Sequence, residues 1–140
     1  MSLLAVMISC SESRSLKTVI ETEQAPAAIG PYSQGILAGN TLYAAGQLGM
    51  DPETGAMAGE DLESQTRQAL DNLGAVLEAA GMGFGDVVSV DVFLSDIENF
   101  SAFNAIYSEY FTETLPARAV VEAARLPRDA LVEIKLVAVR

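Results

Sequence analysis

Histidine and tryptophan are absent from this sequence, and it holds a single cysteine, Cys10. Without histidine there can be no Ser-His-Asp or Cys-His nucleophile system and no histidine-ligated metal site. One cysteine excludes an intramolecular disulfide and every paired-cysteine metal motif. Any catalysis must therefore use carboxylates, tyrosines, lysine, arginine, backbone groups and water, and we expect no metal and no other cofactor. Such groups suit a substrate that is already reactive.

Basic residues are also scarce, with 8 Lys and Arg against 19 Asp and Glu, for a formal net charge of −11. Affinity for nucleic acid comes largely from Lys and Arg that neutralise phosphates, so we expect no nucleic-acid partner. No apolar run approaches the roughly 20 residues that span a bilayer, so we expect no transmembrane segment. Half of the 140 residues are apolar, which is enough to predict one globular domain with a single core.

The stretch "LLAVMISC" places six apolar residues shortly before Cys10 and is followed by the polar "SESRS". It resembles the end of a bacterial lipoprotein signal, in which the cysteine would carry lipid. A positively charged start is missing, and the run is shorter than the roughly 7–15 residues of a signal core. We therefore interpret 1–16 as an N-terminal extension and 17–140 as the domain of a cytoplasmic protein. The alternative is a cell-envelope protein anchored by lipid at Cys10.

Hydrophobic periodicity predicts the order βββαβαββ. Alternation with period 2 indicates strands, spacings of three and four indicate helices, and Gly39-Asn40 between two apolar runs is typical of a hairpin. This order favours an α+β domain, with a six-stranded mixed sheet and two helices on one face. The predicted elements are strands over 16–22, 35–38 and 41–50, a helix over 61–80, a strand over 86–94, a helix over 96–111, and strands over 115–123 and 131–139.

The last predicted strand is apolar on both faces. Val132, Ile134, Leu136 and Ala138 share one face, and Glu133, Lys135, Val137 and Val139 share the other. The second face is too apolar for water and too polar for a dry core. It is better explained as a surface that is buried against other subunits and contains a polar site, which predicts a symmetric homo-oligomer.

The stretch "LPARAVVEA" (115–123) puts Arg118 into a segment that otherwise has the character of a buried strand. With period 2, Arg118 and Val120 share a face. Burying an unpaired guanidinium is expensive, so Arg118 should meet either a carboxylate of the protein or one of a ligand. On the residues alone, a structural salt bridge is slightly favoured.

Five stretches from Ala25 onward stand out together: "APAAIGPYSQG", "AAGQLGMDPETG", "QALDNLGAVLEAAG", "NFSAFNAIYSEYF" and "LPARAVVEAARLPRDALVEIKLVAV". In this order they resemble the RidA (YjgF) family of reactive-intermediate deaminases, whose older names are translation inhibitor and endoribonuclease L-PSP. The resemblance implies a chorismate-mutase-like fold, assembled as a homotrimeric barrel with ligand sites between subunits. It also implies hydrolysis of short 2-imino acids, such as 2-iminobutanoate and 2-iminopropanoate, to 2-keto acids and ammonia.

The resemblance assigns roles to particular residues. Arg118 matches the arginine that grips the substrate carboxylate, and Glu133 matches the glutamate associated with the hydrolytic water. Tyr32 matches the tyrosine over the ligand, Gly46 supplies backbone contacts, and Asn104 occupies a matching position on the second helix. The implied ligand is a small imino acid or keto acid.

Two positions depart from the family's pattern. Val120 stands where many members have cysteine, although its backbone can still serve the ligand, and Ala45 stands where many have serine. Neither a thiol nor that hydroxyl can then be essential here. Two rival functions remain: an endoribonuclease or translation inhibitor, as the older names say, and a non-catalytic protein that binds a small carboxylate.

Overall fold

The structure, a computed structural model, describes residues 16–140. The expectations for Cys10 and the apolar run before it lie outside the described residues. Within the described part of the chain, no helix is long and apolar enough to cross a membrane. The elements are β1 (Lys17–Ile20), β2 (Gly35–Ala38), β3 (Thr41–Leu48), α1 (Leu62–Ala79), β4 (Val87–Leu94), α2 (Phe100–Tyr110), β5 (Ala117–Glu122) and β6 (Val132–Val139).

The six strands form one mixed sheet in the order β1-β2-β3-β6-β4-β5. β4 and β5 are parallel, and the other neighbouring pairs are antiparallel. The predicted α+β order βββαβαββ is confirmed. The hairpin at Gly39-Asn40 is confirmed too: Ala38 pairs with Thr41, and Gly39 has a φ of +60°, which glycine adopts without steric cost.

Local sequence sets both ends of α1 and the start of α2. The Asp61 carboxylate accepts a hydrogen bond from the Ser64 backbone N–H at 2.8 Å, so Asp61 is the N-cap of α1. Gly81 has a φ of +72°, as the predicted helix stop requires. The second helix begins at Phe100 rather than at residue 96, because a 3₁₀ turn over Ile97–Asn99 precedes it.

The core lies between the two helices and one face of the sheet. On β6 the predicted inward set of Val132, Ile134, Leu136 and Ala138 is buried, and the other set is partly or fully exposed. Each fully buried leucine of α1 contributes about 1.5–3 kcal/mol to folding, which is how an amphipathic helix is held on the sheet. Among the described residues, the α1 leucines Leu70, Leu73 and Leu77 have no exposed surface.

The expectation that residues 115–123 form a buried strand is wrong for the single chain. β5 is an edge strand that pairs only with β4, and most of its residues are exposed. Val121 on its open face is 46% exposed, and Tyr43 on the same face of β3 is 51% exposed. Apart from Val120, which packs against the core, the apolar residues of β5 are therefore not used by this chain's own core.

Candidate active site

A pocket of about 350 Å³ opens on the sheet face that the helices do not cover. It brings together three of the residues predicted for the site, Tyr32, Gly46 and Glu133. Glu133 is its single charged side chain. The other lining residues are Ile29, Ala45, Leu48 and Pro127. The pocket therefore combines an apolar wall with one carboxylate.

Gly46 lies at an irregularity of β3. The β3–β6 register shifts between Ala44 and Gln47, so the intervening residues leave the regular ladder. A Cβ atom at Gly46 would overlap Glu133 Oε1 and lie 3.1 Å from Glu133 Cδ. Glycine at this position lets the Glu133 carboxylate lie directly against the backbone of residue 46, and any larger residue would displace that carboxylate.

The Glu133 carboxylate is half-buried, and burial raises its pKa above the ordinary value for glutamate. Within residues 16–140 it has no hydrogen bond and no ion pair. A carboxylate with a raised pKa and no counter-ion is suited to exchange a proton with a bound water.

The loop that carries Tyr32 is fixed by a buried glutamine. Gln34 Nε2 donates to three backbone carbonyls, those of Thr22, Ala25 and Pro26, at 3.0, 3.2 and 2.8 Å. Gln34 Oε1 accepts from the Thr22 N–H at 2.7 Å. The Tyr32 hydroxyl accepts from the Ile29 N–H at 3.3 Å, which folds the ring back over its own turn. Gln34 thereby places the Tyr32 loop beside Gly46.

A second buried amide holds the chain that follows the pocket. Asn72 has no exposed surface, and its Nδ2 donates to the carbonyls of Leu48 and Met50 at 3.1 and 2.9 Å. Gln65, about two turns earlier on the same face of α1, accepts from the Leu131 N–H at 2.8 Å. The polar side chains of α1 thus fix the end of β3 and the start of β6, on which Gly46 and Glu133 lie.

Arg118 lies elsewhere, on the helix side of the sheet. It pairs with Val90 of β4, whose side chain is fully buried under the helices, so both side chains point to that side. The guanidinium carbon lies 4.6 Å from the ring centroid of Tyr107, and 5.7 and 6.0 Å from those of Phe100 and Phe103. The aromatic face of α2 is therefore what Arg118 contacts.

The salt-bridge interpretation of Arg118 is wrong for the chain as described. The ion pairs found over residues 16–140 join Arg67 to Glu63 and Glu109, and Arg125 to Asp129. None of them includes Arg118. Its guanidinium therefore keeps its hydrogen-bond donors for an anion from outside these residues.

Asn104 and Val120 lie near Arg118 rather than near Glu133. Asn104 follows Phe100 by one helical turn and precedes Tyr107 by three residues, so it shares the α2 face that contacts Arg118. Its Oδ1 is buried without a hydrogen-bond partner in the described chain. Val120 pairs with Val92, is partly buried, and packs against the core on the same side as Arg118.

The predicted site residues thus form two groups on opposite faces of one sheet. Glu133 pairs with Phe93 and alternates with the buried Val132 and Ile134, so its side chain points away from the helices. Arg118 points toward them. Within one chain the structure does not bring the arginine and the glutamate together.

Several positioning residues were missed by the sequence analysis. Gln34, Gln65 and Asn72 are buried and bond backbone carbonyls or N–H groups around the pocket. For Gln65 and Asn72 the available signal was polar residues at helical spacing beside the α1 apolar stripe, which favours buried amides over solvated ones only once the fold is known. No comparable signal marked Gln34, which lies in the loop before β2. No cluster of three metal-ligating side chains occurs in the described part of the chain.

Comparison with known proteins finds a matching family and close relatives within it. Residues 22–140 match the family described as "Endoribonuclease L-PSP". A "2-iminobutanoate/2-iminopropanoate deaminase" of Salmonella typhimurium is 49% identical over 128 residues, covering 89% of this chain and 99% of the relative. A "RutC family protein" of Pyrococcus horikoshii is 52% identical over 123 residues, covering 88% of this chain and 98% of the relative.

A solved structure described as Escherichia coli TdcF with bound serine superposes with a TM-score of 0.85 at 40% identity, covering 88% of this chain and 98% of that one. The fold, the match over nearly the whole described chain, and relatives close to half identical agree with one another. The chain belongs to the RidA (YjgF) family, which is also described as Endoribonuclease L-PSP.

Proposed function

We propose that the protein hydrolyses short 2-imino acids, such as 2-iminobutanoate and 2-iminopropanoate, to 2-keto acids and ammonia. The observation that carries the proposal is Arg118, a guanidinium backed by aromatic rings and with no carboxylate partner over residues 16–140. It offers a planar pair of donors to the carboxylate that every 2-imino acid has. The relatives named as deaminases support the same reaction.

In the proposed reaction Arg118 holds the substrate carboxylate and so orients the imine carbon toward water. The Glu133 carboxylate takes one proton as the water oxygen bonds to that carbon, the electron pair of the C=N π bond moves to nitrogen, and the proton is returned to that nitrogen. In the resulting carbinolamine the hydroxyl proton passes to the amine nitrogen through Glu133, the C–N bond breaks, and the carbonyl forms as ammonia leaves. General acid–base assistance of this kind contributes about 10²–10⁴-fold. The imine is already electrophilic, so this assistance is sufficient.

We further propose that the active unit is a homotrimer with its sites between subunits. Arg118 and Glu133 point to opposite faces of one sheet, so one substrate can meet both only if they come from different copies. The exposed apolar residues of the open face and of β5 favour such an assembly. A stable 14.8 kDa monomer at micromolar concentration in sedimentation equilibrium would contradict it.

A coupled assay tests the reaction. A threonine dehydratase generates 2-iminobutanoate from threonine in situ, and the formation of 2-ketobutyrate is followed with and without this protein. We expect acceleration by the parent protein and none by Arg118→Ala. Absence of acceleration by the parent at any protein concentration would refute the proposed reaction.

Two other functions are distinguished by the same variants. If the protein only binds carboxylates, the parent will bind 2-ketobutyrate without accelerating imine hydrolysis. If it is the proposed enzyme, the parent will do both, and Glu133→Gln will lose hydrolysis and keep binding. An endoribonuclease is suggested by the family's description. It would need cationic groups for phosphates, and in a chain of net charge −11 the described Arg67 and Arg125 are engaged in ion pairs. RNA cleavage that disappears in Arg118→Ala would favour it.

A further inference from the structure

Tyr107 is the side chain nearest to the Arg118 guanidinium among its aromatic neighbours. The guanidinium carbon lies over the Tyr107 ring, 4.6 Å from its centroid, against 5.7 Å for Phe100 and 6.0 Å for Phe103. At this distance the negative face of the ring attracts the cation. The guanidinium has five N–H donors, and over residues 16–140 none of them is engaged by a carboxylate.

The Tyr107 ring is itself rigidly held. It stacks on Phe111 with centroids 4.3 Å apart and an interplanar angle of 24°, and Phe111 meets Phe84 edge to face at 5.1 Å. The Phe103 ring packs beside the Tyr107 ring, with centroids 5.6 Å apart. This column of rings ties α2 to the segment before β4. A side chain resting on it therefore has a fixed support.

The hydroxyl of Tyr107 does not explain why the residue is buried. Tyr107 is 7% exposed, and its hydroxyl makes no hydrogen bond of good geometry in the described part of the chain. Burial raises the pKa of the hydroxyl, and the charge of Arg118 together with a weak hydrogen bond from its guanidinium opposes this. A buried hydroxyl without a partner costs stability, so the useful part of the residue is its ring.

We propose that Tyr107 is a positioning residue, whose ring face fixes the Arg118 guanidinium with its donor edges turned toward the substrate carboxylate. This inference rests on the proposed function for the identity of the substrate. The ring acts through Arg118 and does not touch the reacting atoms. Because Arg118 grips the carboxylate before and during the reaction alike, losing the support should weaken binding and leave the chemical step nearly unchanged.

The test compares Tyr107→Leu with Tyr107→Phe. We expect Tyr107→Leu to raise KM roughly twofold to fivefold with kcat nearly unchanged, which is the range of a solvent-exposed cation–π contact. Tyr107→Phe keeps the ring and should keep the parent KM. Tyr110→Leu is the matched control, because it removes a similar ring from the same helix. The Tyr110 hydroxyl bonds Asp71 and the ring does not contact Arg118, so this variant should change thermal stability without changing KM.

A double variant separates positioning from general damage to the fold. In an Arg118→Ala background, Tyr107→Leu should cause no further loss of 2-ketobutyrate affinity, measured by calorimetry. An unchanged KM in Tyr107→Leu, or an equal rise in Tyr107→Phe, would overturn the inference. If the parent binds 2-ketobutyrate but hydrolyses no imine, the proposed reaction fails, and the same comparison read as Kd still decides the role of Tyr107.

Discussion

Mixing two inactive variants, Arg118→Ala and Glu133→Gln, should restore imine hydrolysis. Each variant alone lacks one of the two groups at every site. In a mixed trimer, a Glu133→Gln chain can supply an intact Arg118 to the pocket of an Arg118→Ala chain, which holds an intact Glu133. Recovery follows from the proposed trimer, because the two side chains point to opposite faces of one sheet.

The size of the recovery follows from the symmetry of the assembly. A complete site needs a Glu133→Gln chain where Arg118 is supplied and an Arg118→Ala chain where Glu133 is supplied. With equal amounts and random exchange, each condition holds about half of the time, so about one quarter of the parent's sites are complete. Both variants should remain assembled. Arg118→Ala gives up an exposed cation–π contact worth about 0.5–1 kcal/mol, and Glu133→Gln removes a half-buried charge.

The assay uses subunits that carry different affinity tags and are refolded together. Imine turnover is measured with the coupled dehydratase assay in the unfractionated mixture, where the one-quarter recovery applies. It is measured again on mixed trimers isolated through both tags in succession, in which about one site in three is complete. A second mixture, of parent with a chain carrying both substitutions, is the control. Sites between subunits give about one quarter of full activity in this mixture, whereas sites within one chain give about one half. Mixed trimers of the two single variants that show no recovery would refute the interfacial site.

Three further predictions concern the pocket and its supports. Gly46→Ala should lower kcat/KM by roughly tenfold or more, because its Cβ displaces the Glu133 carboxylate, whereas Gly83→Ala, whose Cβ would meet nothing within 4 Å, should behave like the parent. Activity should rise with pH through the raised pKa of Glu133, since the base must be ionised. The folded chain holds the Glu133 carboxyl proton more tightly than the unfolded chain does. The free energy of unfolding therefore falls as pH rises through the raised pKa of Glu133. Glu133→Gln should accordingly gain thermal stability relative to the parent toward neutral pH. Asn72→Ala should lower the free energy of unfolding by about 2–4 kcal/mol in urea titrations, because two buried carbonyls lose their donor; an unchanged midpoint would contradict this.

Local signals predicted the elements well. The hairpin follows from glycine at a positive φ, α1 from its apolar stripe and the Gly81 stop, and the two faces of β6 from period 2. These features depend on residues that are neighbours in sequence. The start of α2 was predicted four residues early because Ile97–Asn99 has helical composition but closes a 3₁₀ turn.

The relation between strands could not be predicted in the same way. Period 2 shows that Arg118 and Val120 share a face, but not which face of the sheet that is. The face is set by register, through the pairing of Arg118 with Val90 and of Glu133 with Phe93, and a shift of one residue would reverse it. The edge position of β5 also depends on strand order, which no single segment encodes.

Neither Arg118 nor Glu133, the two charged residues of the candidate site, has a counter-ion over residues 16–140. A protein ordinarily balances a half-buried charge with an opposite one, since an unpaired charge is costly. Over residues 16–140, the exposed Arg118 lies against an aromatic ring, and the half-buried Glu133 carboxylate lies against the backbone of Gly46. Neither neighbour is a counter-ion, so each charge can still bind an opposite one. The proposed substrate, with a carboxylate and a protonated imine, would supply one opposite charge to each residue, and in the proposed trimer it would reach both where two copies of the sheet meet.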